Sequence, residues 1–264
     1  RMCTTALYSD VVLPTATWYE KNDLNTSDMH PFIHPLSKAV DPAWEARSDW
    51  DIFKGIARTV SQLAPGVLDT ERDLVLVPTL HDSPGELAMP EVRDWKRGEC
   101  EAIPGKTMPS MVVVERNYPD LYKKFTSLGP LLDKLGNWGK GLVWDTNEEI
   151  RFLGELNRLV TEEGVSQGRP RIETAIDAAE VILQLAPETN GHVAVKAWSA
   201  LGKFTGRKHT HLAEGKEHEA IRFRDVQAQP RKIISSPVWS GLEDEHVSYN
   251  AGYTNVHELI PWRT

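Results

Sequence analysis

Lys21 and Asp49 are the two residues whose types and positions best suit the binding of a charged cofactor. A lysine ammonium can pair with a phosphate or a pterin oxygen, and a carboxylate can accept two adjacent N–H groups such as those on a guanine edge. Each residue also has an ordinary interpretation. Lysine is mostly a solvated surface residue, and an acidic residue in the first turn of a helix stabilises the helix dipole. The two residues by themselves leave these alternatives open.

Lys21 lies in a polar segment that follows a short apolar run. The run Val11–Leu13 ends at Pro14, which predicts a buried strand of the parallel type reaching the edge of its sheet. In an open α/β sheet, ligands bind just outside the carboxyl ends of the strands. The sequence therefore predicts a cofactor site in the segment after Pro14. Its polar, aromatic and charged residues include Trp18, Tyr19, Glu20, Asn25, Thr26 and Asp28.

Two other segments contain groups that could bind a ligand. His30 and His34 are separated by Pro31, which rules out the helical face used in zinc motifs and leaves either a loop metal site or hydrogen-bonded structural histidines. The segment Asn250–His257 is dense in hydrogen-bonding groups and is either a pocket lining or an ordinary polar loop. No nucleophile paired with a general base can be argued from spacing, because such partners are distant in sequence.

Composition narrows the class of protein. The 264 residues include 40% hydrophobic and 26% charged residues, an ordinary globular mixture. The formal net charge of −8 argues against nucleic acid as a partner, since phosphate contacts need a basic surface. No apolar run approaches the length of a membrane span. Two cysteines cannot build a disulfide framework or a four-thiolate cluster, which fits a reducing compartment.

A helix is predicted to begin at Ser48 and to carry Asp49 in its first turn. Ser48 with Asp51 three residues later is typical of a helix start, and an apolar stripe at helical spacing continues to Leu63. Pro65 and Gly66 end the helix. The preceding residues 15–47 are predicted to be irregular, because Pro31, Pro35 and Pro42 forbid a long helix.

The rest of the chain alternates predicted strands and helices. Met111–Val114 is predicted to be a buried strand, whereas Leu74–Val77 is ambiguous. Thr146 and Glu149 form the pattern of a capping box that opens a helix extending to Gly164. A further helix is predicted over Pro119–Leu135, with a break near Gly129. Two more helices are predicted over Glu173–Leu185 and Val193–Phe204. Ile221–Val226 and Lys232–Ile234 are predicted to be strands. The fold class is therefore α/β, with a parallel-type sheet, flanking helices and long irregular loops.

Several stretches of this sequence resemble the catalytic alpha subunit of respiratory, membrane-bound nitrate reductase, a molybdopterin oxidoreductase. The resemblance runs over essentially the whole chain. The segment Ala186–Trp198, which reads Ala-Pro-Glu-Thr-Asn-Gly-His-Val-Ala-Val-Lys-Ala-Trp, is specific to this subunit. The broader family shares the strand-Pro segment with Glu20-Lys21 and the Ser48-Asp49 before the following helix. The other matching stretches are Asp10–Lys21, Asn25–Leu36, Val40–Trp50, Ile221–Ser236 and Trp239–Thr264.

The resemblance implies reduction of nitrate to nitrite at a molybdenum bis(molybdopterin guanine dinucleotide) centre, with electrons from quinol. It also implies a 4Fe-4S cluster in the same subunit, a beta (iron-sulfur) subunit and a gamma (haem b) subunit. The enzyme would be peripheral, attached to the membrane through these partner subunits at the cytoplasmic face. The alternatives are a sibling enzyme that reduces another oxyanion, such as chlorate or selenate, and a non-catalytic structural domain.

The resemblance also assigns roles to individual residues. Lys21 matches the lysine that contacts the dinucleotide cofactor, and Asp49 matches the aspartate that reads a guanine. Proximity to these two makes five further residues candidates for the same pocket, with the segment Asn250–His257 a weaker one. No catalytic residue or metal ligand of the family falls within this segment, and Cys3 and Cys100 match no cluster position. The five pocket candidates are Thr15, Trp18, Asn25, Thr26 and His30.

The two ends suggest an internal segment of a longer chain, since residue 1 is arginine and Thr264 follows Pro261-Trp262-Arg263 without a closing helix. Within residues 1–264, three parts are expected. Residues 1–65 form the strand, loop and helix of the cofactor wall, and residues 66–234 form a mixed helical and strand insertion. Residues 235–264 form a loop leading toward a C-terminal dinucleotide-binding domain.

Overall fold

The computed structural model describes ten ranges of the chain: 3–27, 30–68, 70–77, 79, 92–128, 137–139, 142–157, 167–206, 208–226 and 229–234. The predicted loop 235–264, with the candidate segment Asn250–His257, lies outside these ranges. So do the predicted helix break near Gly129 and the predicted helix end at Gly164. The division into 1–65, 66–234 and 235–264 stays a prediction.

The helices predicted from apolar periodicity are confirmed in their central parts. The helix that begins after Ser48 ends at Leu63, as the Pro65-Gly66 signal indicates. The predicted helices Glu173–Leu185 and Val193–Phe204 form with starts shifted by two residues. The helices of the described ranges are α1 (Thr4–Leu7), α2 (Asp49–Leu63), α3 (Leu121–Phe125), α4 (Asn147–Asn157), α5 (Ala175–Leu185), α6 (Gly191–Thr205) and α7 (Phe223–Val226), with 3-10 turns at Trp95–Arg97 and Thr210–Ala213.

The sheets differ from the prediction, because the described strands pair antiparallel. One sheet has the order β1-β2-β7, and β3 with β4 and β5 with β6 form two-stranded sheets. The parallel-type sheet expected from the sequence is therefore wrong for the described residues. The strands are β1 (Asp23–Ser27), β2 (His30–Leu36), β3 (Glu71–Val77), β4 (Ser110–Arg116), β5 (Asn137–Gly139), β6 (Leu142–Trp144) and β7 (Arg231–Lys232).

The predicted strand Val11–Leu13 is not a strand, and its three side chains are exposed. A strand in a parallel sheet needs neighbours that cover both of its faces, and this run has neither. Near this run, a parallel contact does form as an isolated bridge between Thr15 and Arg47. An apolar run this short carries no periodicity, so the sequence could not distinguish a buried strand from an extended surface segment.

Two strands form where irregular structure was predicted. β1 pairs with β2 from Asp23 opposite Leu36 to Ser27 opposite His30. The register shifts between Thr26 and Ser27, and this bulge leaves Pro31 unpaired. Within the described residues, β7 pairs with β2 at Phe32 and Ile33, and no strand partner lies beside Pro35 on that edge. The prolines thus exclude a helix but not a strand whose ladder avoids their missing N–H groups.

Three other local predictions are corrected by the structure. The stretch Ile221–Val226 contains the helix α7 rather than a strand, and Lys232–Ile234 contributes only Lys232 to β7. Met111–Val114 does lie in a strand, β4, but all four of its side chains are exposed. At the start of α4, the buried Thr146 hydroxyl has no hydrogen-bond partner among the described residues, so the predicted capping box does not form. The Glu149 carboxylate contacts α6 instead.

The hydrophobic core lies between α4, α5 and α6. Leu153 of α4, Leu183 and Leu185 of α5, and Trp198 of α6 are completely buried there. Ile33 of β2 belongs to the same cluster and Trp50 of α2 packs against it. The core therefore supports the strand and the helix that flank the predicted cofactor segment.

Candidate functional site

The segment that contains Lys21 is attached to the start of α2 through the backbone of Arg47. The N–H of Ala16 donates to the Arg47 carbonyl at 2.8 Å, and the N–H of Arg47 donates to the Pro14 carbonyl at 3.2 Å. Ala16 is buried at this contact. Because Arg47 directly precedes the helix cap Ser48, these bonds bring residues 14–16 next to the first turn of α2.

Glu20 holds the turn that carries Trp18 and Tyr19. One carboxylate oxygen accepts from the Thr17 N–H at 2.8 Å and from the Thr17 hydroxyl at 3.0 Å. The other oxygen accepts from the N–H of Ala43 at 3.2 Å. The backbone and hydroxyl bonds from Thr17, followed by the bond from Ala43, lower the pKa of Glu20. Glu20 is therefore a structural carboxylate that fixes the backbone turn directly before Lys21.

The Lys21 ammonium lies between two carboxylates. It is 2.6 Å from Oδ2 of Asp49 and 2.9 Å from Oδ2 of Asp23. It also lies 4.8 Å from the ring centroid of Trp18, a cation–π distance. Only 11% of the Lys21 side chain is exposed. Burial by itself lowers the pKa of Lys21, but the hydrogen bonds to Asp49 and Asp23 outweigh it, so the pKa is raised.

Asp49 is the first residue of α2, and its position follows from the cap. The Ser48 hydroxyl accepts from the N–H of Asp51 at 3.2 Å and donates to the Asp51 carboxylate at 2.7 Å. Asp49 bonds to Lys21 through Oδ2, and 52% of its side chain remains exposed. The site therefore presents a partly open carboxylate at a helix start beside a well-held ammonium.

The structure brings together three of the seven predicted site residues, namely Lys21, Asp49 and Trp18. Thr15 lies on the backbone bridge to Arg47 and is exposed. Asn25 is exposed on β1 opposite His34. Thr26 and His30 lie on β1 and β2. Their side chains are outside what the structure describes.

Asp23 is the site residue that the sequence reasoning missed. Its carboxylate contacts the Lys21 ammonium and also accepts from the N–H of Leu24 at 2.8 Å. A signal existed in the sequence, because an acidic residue two positions after the predicted cofactor lysine is a natural partner for its charge. The expectation of irregular structure after Lys21 obscured it, since the start of β1 is what orients Asp23.

A second charged cluster joins α4 to α6. Glu149 is 2% exposed and lies 2.7 Å from Nδ1 of His192 and 3.0 Å from Nζ of Lys196. Glu148 is 62% exposed and lies farther from both, at 3.7 Å and 3.5 Å. The acidic and imidazole atoms are close enough to hold a cation. The ammonium of Lys196 already supplies the positive charge, so the cluster is an ion-pair network between two helices.

Comparison with known proteins relates the Lys21 site and the α4–α6 cluster to protein families. The family model described as molybdopterin oxidoreductase matches residues 1–59, which include Lys21 and Asp49. The model described as nitrate reductase alpha chain, domain V, matches residues 135–257, which include α4, α5 and α6. The chain is 72% identical to the respiratory nitrate reductase 2 alpha chain and 67% identical to the respiratory nitrate reductase 1 alpha chain, both of Escherichia coli (strain K12).

Along its whole length the chain is similar to nitrate reductase alpha chains. It is also 48% identical to the nitrate reductase alpha chain of Bacillus subtilis (strain 168). Each of these three alignments covers 100% of the chain but only 21% or 22% of the relative. The chain thus spans about a fifth of the length of the nitrate reductase alpha chains it matches. In its described part, no helix combines the length and apolarity that crossing a membrane requires.

Proposed function

We propose that this chain is part of the catalytic subunit of a respiratory nitrate reductase, in which Lys21 and Asp49 hold the guanine dinucleotide end of a molybdenum cofactor. The observation that carries the proposal is the position of this pair. Lys21 and Asp49 are 28 residues apart in sequence and meet in space within the stretch matched by the molybdopterin oxidoreductase model. The identity to nitrate reductase alpha chains over the whole chain supports nitrate as the substrate.

The hydrogen-bonding and charged groups of the site fit the proposed ligand. A guanine base offers two adjacent N–H groups, and Asp49 offers a carboxylate that is about half exposed. A dinucleotide carries phosphates, and Lys21 offers an ammonium whose raised pKa keeps it charged at neutral pH. The exposed ring of Trp18 adds an apolar surface next to that ammonium. Thr15, Asn25, Thr26 and His30 remain candidates for the rim of the same pocket.

The residues of this chain would bind and orient the cofactor rather than carry out the reaction. The two-electron oxygen-atom transfer that converts nitrate to nitrite would be supplied by the molybdenum centre. Asp49 would select guanine through paired hydrogen bonds, and Lys21 would neutralise phosphate charge. Electrons from quinol would arrive through a 4Fe-4S cluster and through beta and gamma subunits that attach the enzyme to the cytoplasmic face of the membrane.

The test is an Asp49→Asn substitution in the full-length alpha chain, assembled with its partner subunits. The amide presents one acceptor and one donor to the guanine edge, so one hydrogen bond is lost and a donor meets a donor. We expect the GMP released by acid hydrolysis and the bound molybdenum to fall by about tenfold, the effect of roughly 1.4 kcal/mol. Nitrate reduction with an artificial electron donor should fall in proportion.

A matched control is available in the same part of the chain. Asp41 also pairs with a lysine, at 2.7 Å from Lys38, but 91% of its side chain is exposed. Asp41→Asn should keep full cofactor content. If Asp49→Asn retained GMP and molybdenum at the level of Asp41→Asn, the guanine-binding role would be refuted. An assembled enzyme without molybdenum would favour the alternative of a structural domain, and preference for chlorate or selenate over nitrate would favour the sibling enzyme.

A further inference from the structure

The charges around Lys21 do not balance. One ammonium faces two carboxylates, Asp23 and Asp49, so the three groups together carry a net formal charge of −1. One carboxylate would be enough to neutralise Lys21. The second is therefore available for another donor, provided that the first keeps the ammonium in place.

The carboxylates of Asp23 and Asp49 are fixed in position to different degrees. Asp23 starts β1, and its backbone is paired opposite Leu36. Its Oδ1 accepts from the Leu24 N–H while its Oδ2 contacts Lys21, so both oxygens are engaged. Asp49 contacts Lys21 through Oδ2 at the open first turn of α2, and its side chain is the more exposed of the two, at 52% against 35%.

Lys21 itself is held from a third side. Its ammonium lies over the ring of Trp18, in the turn that Glu20 fixes. With 11% of the side chain exposed, Lys21 is poorly solvated. Removing every carboxylate from such a cation is costly, because a mostly buried charge without a partner loses its hydration and gains nothing in return.

We infer that Asp23 is a positioning residue that retains Lys21 when the Asp49 carboxylate turns to the guanine base. The inference rests on the proposed function of Asp49. In this exchange Lys21 shifts its hydrogen bonding to Asp23, and both oxygens of Asp49 become acceptors for the two guanine N–H groups. Asp23 does not contact the nucleotide. Its effect is to keep one carboxylate on the mostly buried ammonium when Asp49 is released, so that Lys21 stays in place to face the dinucleotide.

The test uses the full-length alpha chain assembled with its partner subunits. Asp23→Asn keeps the size of the side chain and its acceptor for the Leu24 N–H but removes the charge. The purified holoenzyme is incubated in mild denaturant, and the rate at which GMP-containing cofactor is lost is measured by mass spectrometry. We expect loss about tenfold faster than in the wild type, and recovery toward the wild-type rate in Asp23→Glu.

A double-mutant cycle separates positioning from a general structural effect. If Asp23 acts by holding Lys21, removing the ammonium removes the need for Asp23. The Lys21→Gln/Asp23→Asn enzyme should then lose cofactor no faster than Lys21→Gln alone. Two effects that simply add would overturn the inference, as would an Asp23→Asn enzyme that keeps its cofactor at the wild-type rate. If Asp23→Asn fails to assemble, the comparison of Lys21→Gln with the double variant still decides.

The outcomes also distinguish this inference from the proposed function. Cofactor loss in Asp49→Asn but not in Asp23→Asn refutes only the positioning role. Retention of cofactor in both variants refutes the guanine-binding role of Asp49 itself. The Asp41→Asn enzyme serves again as the control for removal of a lysine-paired carboxylate.

Discussion

The Lys196 ammonium of α6 lies 3.0 Å and 3.1 Å from the two carboxylate oxygens of Glu149 on α4. This pair spans 47 residues of sequence and joins two helices of the core. Glu149 is almost completely buried, so Glu149→Gln leaves Lys196 without a full counter-charge in a poorly solvated position. We expect the free energy of unfolding to fall by about 3 kcal/mol, measured by urea titration with tryptophan fluorescence.

Glu148→Gln is the matched control for that prediction. Glu148 lies on the same turn and faces the same two partners, but it is 62% exposed and more distant. Exposed ion pairs contribute little, so the expected loss is below about 1 kcal/mol. Equal losses in the two variants would show that burial of Glu149 does not determine the strength of this network.

Ser48→Ala should weaken the helix that carries Asp49. The substitution removes the acceptor for the Asp51 N–H and the donor to the Asp51 carboxylate. Loss of a helix cap of this kind costs about 1 kcal/mol of unfolding free energy, measurable by thermal or urea denaturation. Ser48→Thr keeps the hydroxyl and should remain within a few tenths of a kcal/mol of the wild type, about the difference between these two caps. A Thr variant as unstable as the Ala variant would contradict the cap.

Lys21→Met should show a pH-dependent effect. Because the pKa of Lys21 is raised in the folded protein, the ion pairs contribute their full stability below its ordinary pKa of 10.5, and that contribution is lost as the pH rises through the folded value. We expect Lys21→Met to cost about 1 kcal/mol at pH 8, a magnitude limited by the partial exposure of both carboxylates. The difference from the wild type should vanish well above pH 10.5. A constant difference would contradict the role of the charge.

Glu180 should make stability depend on pH in the acidic to neutral range. Burial raises the pKa of Glu180 above its ordinary 4.5, and the Arg224 backbone bond and charge offset only part of this. The folded state therefore binds this proton more tightly, so its stabilising contribution is full below pH 4.5 and is lost as the pH rises through the raised pKa. In urea titrations, the stability of the wild type relative to Glu180→Gln should decline over this range.

Gly191→Ala and Gly55→Ala should have opposite effects, although both residues lie in helices. A Cβ on Gly191 would overlap the backbone carbonyl of Lys216, whereas a Cβ on Gly55 would meet no atom within 4 Å. Overlap with backbone forces the helix start of α6 to move, so Gly191→Ala should lose at least about 2 kcal/mol of unfolding free energy. Gly55→Ala should gain about 0.5–1 kcal/mol, because alanine favours the helix more than glycine does. Calorimetry of both variants tests the pair.

Local signals in the sequence predicted the helices well. The start of α2 was predicted from Ser48 and Asp51. At the start of α5, the structure shows a complete capping box of Thr174 and Asp177 that the sequence analysis did not single out. Each cap involves residues within one helical turn, so it favours a helix start independently of the rest of the chain. The capping pattern predicted at Thr146 does not form, because the buried Glu149 carboxylate contacts His192 and Lys196 of α6 instead.

Sequence patterns predicted the resemblance to nitrate reductase alpha chains, the main helices and the two residues, Lys21 and Asp49, on which the cofactor proposal rests. The folded structure was needed to show that the apolar run Val11–Leu13 stays outside the sheets, that the described strands pair antiparallel, and that Asp23 joins Lys21 and Asp49. Helix signals act over three or four residues, so they can be read directly from sequence. Strand partners and the ion pair across 28 residues are selected by which surfaces pack together, and that selection is a property of the folded chain as a whole.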